Sequence, residues 1–170
     1  VVGMPNFTLR KEDARAEAGA WILAQADRVI LSAEDMERCH AMVASIRAHD
    51  GAMRLLEGGR PEVSLMWIDA RYGVRCRGRI DYLRDSDLGM VDLKTAVDAS
   101  PDGFARRVAT YQYHLQAAHY WTGSEHLLAQ SPAFWAWVAV ESTAPYAVGA
   151  YVIQADALRV GMSLQARAVA

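Results

Sequence analysis

Asp81, Asp92 and Lys94 are the residues whose types and spacing carry the most chemistry in this 170-residue sequence. Side chains alternate across a β-strand, so residues two apart share a face roughly 7 Å apart. In Met90-Val91-Asp92-Leu93-Lys94-Thr95, Asp92 and Lys94 then share one face and Val91, Leu93 and Thr95 the other. In the preceding segment Arg77, Arg79 and Asp81 share a face, with Cys76, Gly78 and Ile80 opposite. If the two segments pair as a hairpin, Asp81 meets Asp92, and Glu62 at the start of the adjoining strand is placed to add a third carboxylate. Hard cations such as Mg²⁺ prefer carboxylate, carbonyl and water oxygens. Carboxylates beside one ammonium make a site for phosphodiester hydrolysis. The metal activates water, and the lysine orients that water or stabilises charge on phosphate oxygens.

The plainer reading is an Asp–Lys salt bridge on a half-exposed sheet, and spacing alone does not decide between the two. Composition adds a hint. The 18 basic residues include only two lysines, Lys11 and Lys94. In so arginine-rich a chain, a lysine inside an apolar strand marks a place for a compact point charge rather than a planar fork. The next helix adds an independent element. At 100° per residue, Arg106, Tyr113, Gln116 and Tyr120 fall within about 80° of one another. That face would hold a phosphate backbone and position water, unless it is simply a solvated polar face. Phe104, Val108, Tyr111, Leu115 and Ala118 form the expected core stripe of the same helix. No His-x-x-x-His spacing occurs, and the five histidines are left without a role.

The elements that must position these residues follow from periodicity and punctuation. The first 57 residues read as helical: an Ala-rich stretch over 11–25, then a helix with Ser32 as N-cap, acids in its first turn, and Met36, Cys39, Met42, Val43 and Ile46 at helical spacing. Gly58, Gly59 and Pro61 close that region. Strands are expected over 62–69, 74–84 and 88–95, with turns at 70–73 and 85–87. Ser100-Pro101-Asp102 opens a helix expected to run to Trp121. Strands over 134–141 and 147–154 follow, and then a last helix capped by Asp156. The fold class is α/β, with a mixed central sheet flanked by helices.

Length fits one domain, with 1–60 as a helical N-terminal part and 61–170 as the catalytic part. The start on Val1 rather than Met leads us to expect a fragment of a longer chain, truncated at both ends. Cys39 and Cys76 are expected to be free thiols acting as small buried apolar residues. No apolar run approaches the roughly 18–20 residues of a membrane span, and no secretory signal opens the chain. The net charge of −2 is not the basic footprint of a nucleic-acid binder. Residues 71–107, however, carry eight basic and six acidic side chains, so the middle of the chain is mildly basic.

Gly78-Arg79-Ile80-Asp81, Val91-Asp92-Leu93-Lys94-Thr95 and Tyr113-His114-Leu115-Gln116-Ala117-Ala118-His119-Tyr120 together resemble the PD-(D/E)xK nuclease superfamily, and within it the RecE-like (exonuclease VIII) branch. The resemblance spans 61–121, and the later strands fit the same layout. It implies a PD-(D/E)xK nuclease-like sheet. Asp81 and Asp92 become metal ligands, Leu93 lends its backbone carbonyl, and Lys94 is the catalytic lysine. Glu62 matches the upstream acidic position, Tyr113 and Gln116 the helix pair near the reacting phosphate, and Tyr120 the Gln-x-x-x-Tyr pattern. Arg106 and Arg79 would join Tyr120 in holding DNA.

The activity implied is Mg²⁺-dependent exonucleolytic digestion of duplex DNA ends, 5′→3′, with Mn²⁺ able to substitute, in phage-type or bacterial recombination. The partners implied are double-stranded DNA ends, a single-strand annealing protein and further copies in a ring-shaped homo-oligomer, with no membrane. The setting is the cytoplasm of a bacterial or phage-infected cell. Two departures stand out. The branch carries a further active-site histidine ahead of the acidic position, but neither His40 nor His49 lies in a matching motif. Asp-x-Lys also occurs in endonucleases and RecB-like enzymes of the superfamily, and an inactive DNA-binding module of the same fold is a further alternative. Cas4-like relatives hold an iron–sulfur cluster with four cysteines, which two cysteines do not supply.

Overall fold

The computed structural model describes residues 2–5, 12–128 and 130–169. The chain divides into two compact units, Val1–Ala44 and Ser45–Ala170. In the first, two short parallel strands, β1 (Val2–Gly3) and β2 (Ile30–Leu31), accompany helix α1 (Glu12–Ala24). The N-terminal region is thus not purely helical as its sequence suggests, because strands of two residues carry no readable alternation. Helix α2 (Ala33–Ala48) begins where expected, because the Ser32 hydroxyl accepts from the Asp35 backbone N–H at 3.0 Å. Lys11, placed in the first helix from sequence, lies outside the described residues.

The second unit opens on the short helix α3 (Asp50–Leu55), capped by His49, whose Nδ1 accepts from the Ala52 N–H. Its sheet then contains β3 (Gly59–Asp69), β4 (Val74–Arg84), β5 (Met90–Ala96), β6 (Trp135–Glu141) and β7 (Val148–Val152), in that spatial order. Only β5 and β6 run parallel, so the sheet is mixed. The crossover between them carries α4 (Pro101–Thr110) and α5 (Tyr113–Leu128), and α6 (Ala155–Val169) follows β7 and packs on α5. Every residue of β6 except Glu141 is buried, as a central strand covered on both faces requires. The core joins Leu65, Trp67, Ile80, Met90, Phe104, Trp135 and Trp137.

Three boundaries move, each for a local reason. The edge strand β3 starts at Gly59 and runs through Pro61, since an edge tolerates a residue without an N–H. Strand β5 starts at Met90 because Leu88 takes a left-handed backbone and Asp87 accepts from the Gly89 N–H at 2.9 Å. Asp156 sits in the first turn of α6 rather than at its cap.

The larger correction is that the helix expected over 101–121 is two helices. Ser100 caps α4 and accepts from the Gly103 N–H, but Gln112 takes φ +53° and turns the chain before α5. Tyr111, read as core, is therefore 59% exposed at the end of α4. Cys39 and Cys76 are free and half-buried rather than fully buried.

Candidate active site

The β4–β5 hairpin pairs Leu83 with Met90 and Tyr82 with Val91, which brings Asp81 opposite Asp92 one step further along. Backbone pairing ends there. The Asp81 carboxylate takes over, its Oδ2 accepting from the Leu93 N–H at 2.8 Å. The strands thus part where the two carboxylates lie, and one carboxylate is pinned to the backbone that carries the other.

Asp92 is 2% exposed, unusual for a carboxylate. Its Oδ1 accepts from Gln116 Nε2 of α5 at 3.0 Å. Its Oδ2 accepts no well-directed hydrogen bond and faces the Lys94 ammonium at 2.5 Å. Burial raises the Asp92 pKa above the ordinary carboxylate value; Lys94 pulls it back, and the neighbouring Asp81 charge pushes it further up. The Lys94 side chain is itself only 18% exposed and lies 4.9 Å from the Tyr113 ring centroid, a cation–π distance.

Sequence reasoning missed Arg107. Its Nε donates to the Tyr113 hydroxyl at 3.3 Å, and its guanidinium lies 4.8 Å from the Tyr111 ring, which stacks on Tyr113. A chain of contacts therefore runs from Arg107 through Tyr113 to Lys94. On an uninterrupted helix the wheel selects Arg106, but the break at Gln112 re-aims α4. Arg106 instead ion-pairs Asp98 at 3.8 Å and is separated from the Tyr113–Gln116 face. No motif in the sequence signals that break.

The other expected residues are placed as follows. Glu62 falls between the pairs Pro61–Tyr82 and Val63–Ile80, opposite Asp81, but takes φ +58° and interrupts the ladder. A non-glycine residue in that region is strained. Its carboxylate ion-pairs Arg79, and both side chains are exposed. Tyr120 packs its ring against the Gly78 backbone and lies edge-on to Trp135 at 5.7 Å, so its ring serves the α5–sheet contact. A Cβ at position 78 would meet that ring at 2.7 Å, which explains the glycine before Arg79.

Among the described residues, no three carboxylate, histidine or cysteine side chains gather as a metal-binding group. The carboxylates that could hold a cation are a smaller set, Asp81 and Asp92 across the parted strands. That suits Mg²⁺, which is commonly held by one or two carboxylates while it keeps several waters.

A mixed sheet with two carboxylates and a lysine where its hairpin parts defines a PD-(D/E)xK-type domain. The chain belongs to the family described as PDDEXK-like domain of unknown function (DUF3799), whose model matches residues 11–169. Among solved structures it is similar to a protein from Eubacterium rectale named as a candidate exonuclease, at 13% identity and a TM-score of 0.65. That match covers 91% of this chain and 58% of the other, so the chain spans little more than half of it. The structure of a protein named SSO0001 aligns at 19% identity and a TM-score of 0.40 over 78% of this chain and 67% of that one, too distant to carry an argument. No curated protein matches the sequence.

Proposed function

We propose that this domain is a divalent-metal-dependent deoxyribonuclease that digests duplex DNA from its ends, 5′→3′, in bacterial or phage-type recombination. The observation that carries the reading is Asp92: a buried carboxylate held by Gln116 and Lys94, with Asp81 across the parted strands. Membership of a PDDEXK-like family supports nuclease chemistry. Digestion from ends, its polarity, a ring of copies and an annealing partner rest on the resemblance to RecE-like enzymes.

When bound at Asp81 and Asp92, Mg²⁺ supplies Lewis-acid polarisation of the phosphate and a more acidic water. The protein's own groups have distinct tasks. Gln116 fixes the orientation of the Asp92 carboxylate. Lys94, held over the Tyr113 ring, presents an ammonium that donates to the attacking water or to a phosphate oxygen. Water attacks phosphorus, the bond to the 3′-oxygen breaks, and a 5′-nucleotide leaves as that oxygen takes a proton. Burial of Asp92 keeps bulk water from competing for its oxygens.

The test uses linear duplex DNA labelled at one end beside a closed circle, each with protein and Mg²⁺. Nucleotides released from the 5′ end of the linear DNA alone are the expected outcome. Cutting of the circle would replace this reading with an endonuclease, and no cleavage in Mg²⁺ or Mn²⁺ with a binding module.

A further inference from the structure

The flank of α5 that touches the candidate active site also walls an open groove of about 400 Å³, within the range of small-molecule sites. Tyr111 and Gln112 at the α4–α5 break, Leu115, Gln116 and His119 along α5, and Gln165 from α6 line it. The groove meets the site at two points. Gln116 lines it and donates to Asp92 at 3.0 Å. Tyr111 lines it and stacks on Tyr113, whose ring carries the Lys94 ammonium. Further along α5, the His119 Nε2 lies 3.2 Å from the Arg77 carbonyl oxygen of β4. The groove therefore follows the side of α5 that reaches from Asp92 of β5 to Arg77 of β4, across the gap where those strands no longer pair.

No carboxylate, lysine or arginine lines the groove, so it offers little to a phosphate or a metal ion. It offers two rings, an aliphatic side chain and three amides. Tyr111 is 59% exposed. Gln116 commits its Nε2 to Asp92, and its Oε1 makes no hydrogen bond among the described residues. Gln165 is buried, and its Oε1 accepts from the Thr122 hydroxyl at 3.2 Å while its Nε2 makes no hydrogen bond among the described residues. Amide donors and acceptors beside aromatic walls suit a flat, uncharged ring with hydrogen-bonding edges, which describes a nucleobase out of its stack. Beside the groove, Arg107 lies over the Tyr111 ring with its Nε on the Tyr113 hydroxyl, and it has no ion pair among the described residues. Its fork matches phosphate oxygens. We infer that the groove takes one unpaired base of the DNA strand whose phosphate lies at Asp81 and Asp92, with Arg107 on a neighbouring phosphate. This rests on the nuclease reading above and adds to it a base subsite. A terminal base is the easiest to supply, because it stacks on one side only.

The experiment measures Kd for a labelled blunt linear duplex by fluorescence anisotropy, with Ca²⁺ in place of Mg²⁺. An abasic residue replaces each of the last few nucleotides at one end in turn, on either strand. For the natural protein one position should raise Kd about tenfold, the loss of one stacked base. Tyr111→Ala should bind the intact duplex about tenfold more weakly and show no further loss at that position. Tyr111→Phe keeps the ring and should keep the abasic penalty, which separates a lost wall from lost folding. An abasic series without effect on the natural protein, or an equal penalty in Tyr111→Ala, would overturn the inference. If the natural protein still cleaves linear DNA in Mg²⁺ in that case, the nuclease reading stands and only the base subsite falls. If it neither binds nor cleaves, both fall.

Discussion

Burial makes an ionised Asp92 expensive, and one lysine and one amide offset part of that cost. Its folded-state pKa lies above the unfolded one, chiefly through desolvation. Stability from this group is then fully present below the unfolded value and is lost as pH rises through the folded value. The metal-free protein should therefore lose stability over that window, and Asp92→Asn should remove that part of the loss. Denaturant unfolding at a series of pH values measures it; identical pH profiles for the two proteins would assign the effect to another group. Arg107 offers a second prediction at this scale. Arg107→Ala removes the group that bonds the Tyr113 hydroxyl, so Lys94 is held less firmly and kcat should fall on the order of ten- to a hundredfold. Arg106→Ala, on a side chain 72% exposed, should leave kcat near its natural level. Equal effects would return both arginines to a common face.

Among the elements, the contact between α5 and the β3–β4 pair sets where Gln116 meets Asp92. Gly78 is its tightest point, because the Tyr120 ring lies on its backbone. Gly78→Ala should cost about 1–3 kcal/mol by overpacking, read from denaturant midpoints, and should lower activity as α5 shifts. A substitution without effect on either would mean that Tyr120 swings clear.

The same elements show what the sequence could and could not reveal. The β3–β4 and β4–β5 turns were legible because period-two alternation stops at Asp- and Gly-rich segments. The opposition of Asp81 and Asp92 follows from that register. Left-handed backbone at Glu62 and Gln112 was not legible, since neither is glycine, no proline adjoins Gln112, and Pro61 restricts its own φ and that of the residue before it rather than Glu62 after it. Those two residues are why Glu62 turns to Arg79 and why Arg107, rather than Arg106, reaches the site.

For the whole molecule, the proposed function rests on a small group of side chains within a PDDEXK-like domain. The domain matches little more than half of the Eubacterium rectale protein of similar fold, and the two share 13% of their residues. Net charge says little at this scale, because an acidic total coexists with an arginine row on one strand.

The most direct measurement is therefore Mg²⁺-dependent cleavage of linear duplex DNA by the natural protein, by Asp92→Asn and by Lys94→Met, each with its melting temperature recorded. The expected result is cleavage that EDTA abolishes, and a loss of at least about a hundredfold in both variants while they remain folded. Cleavage at the natural rate by either folded variant, or cleavage that persists in EDTA, would contradict it.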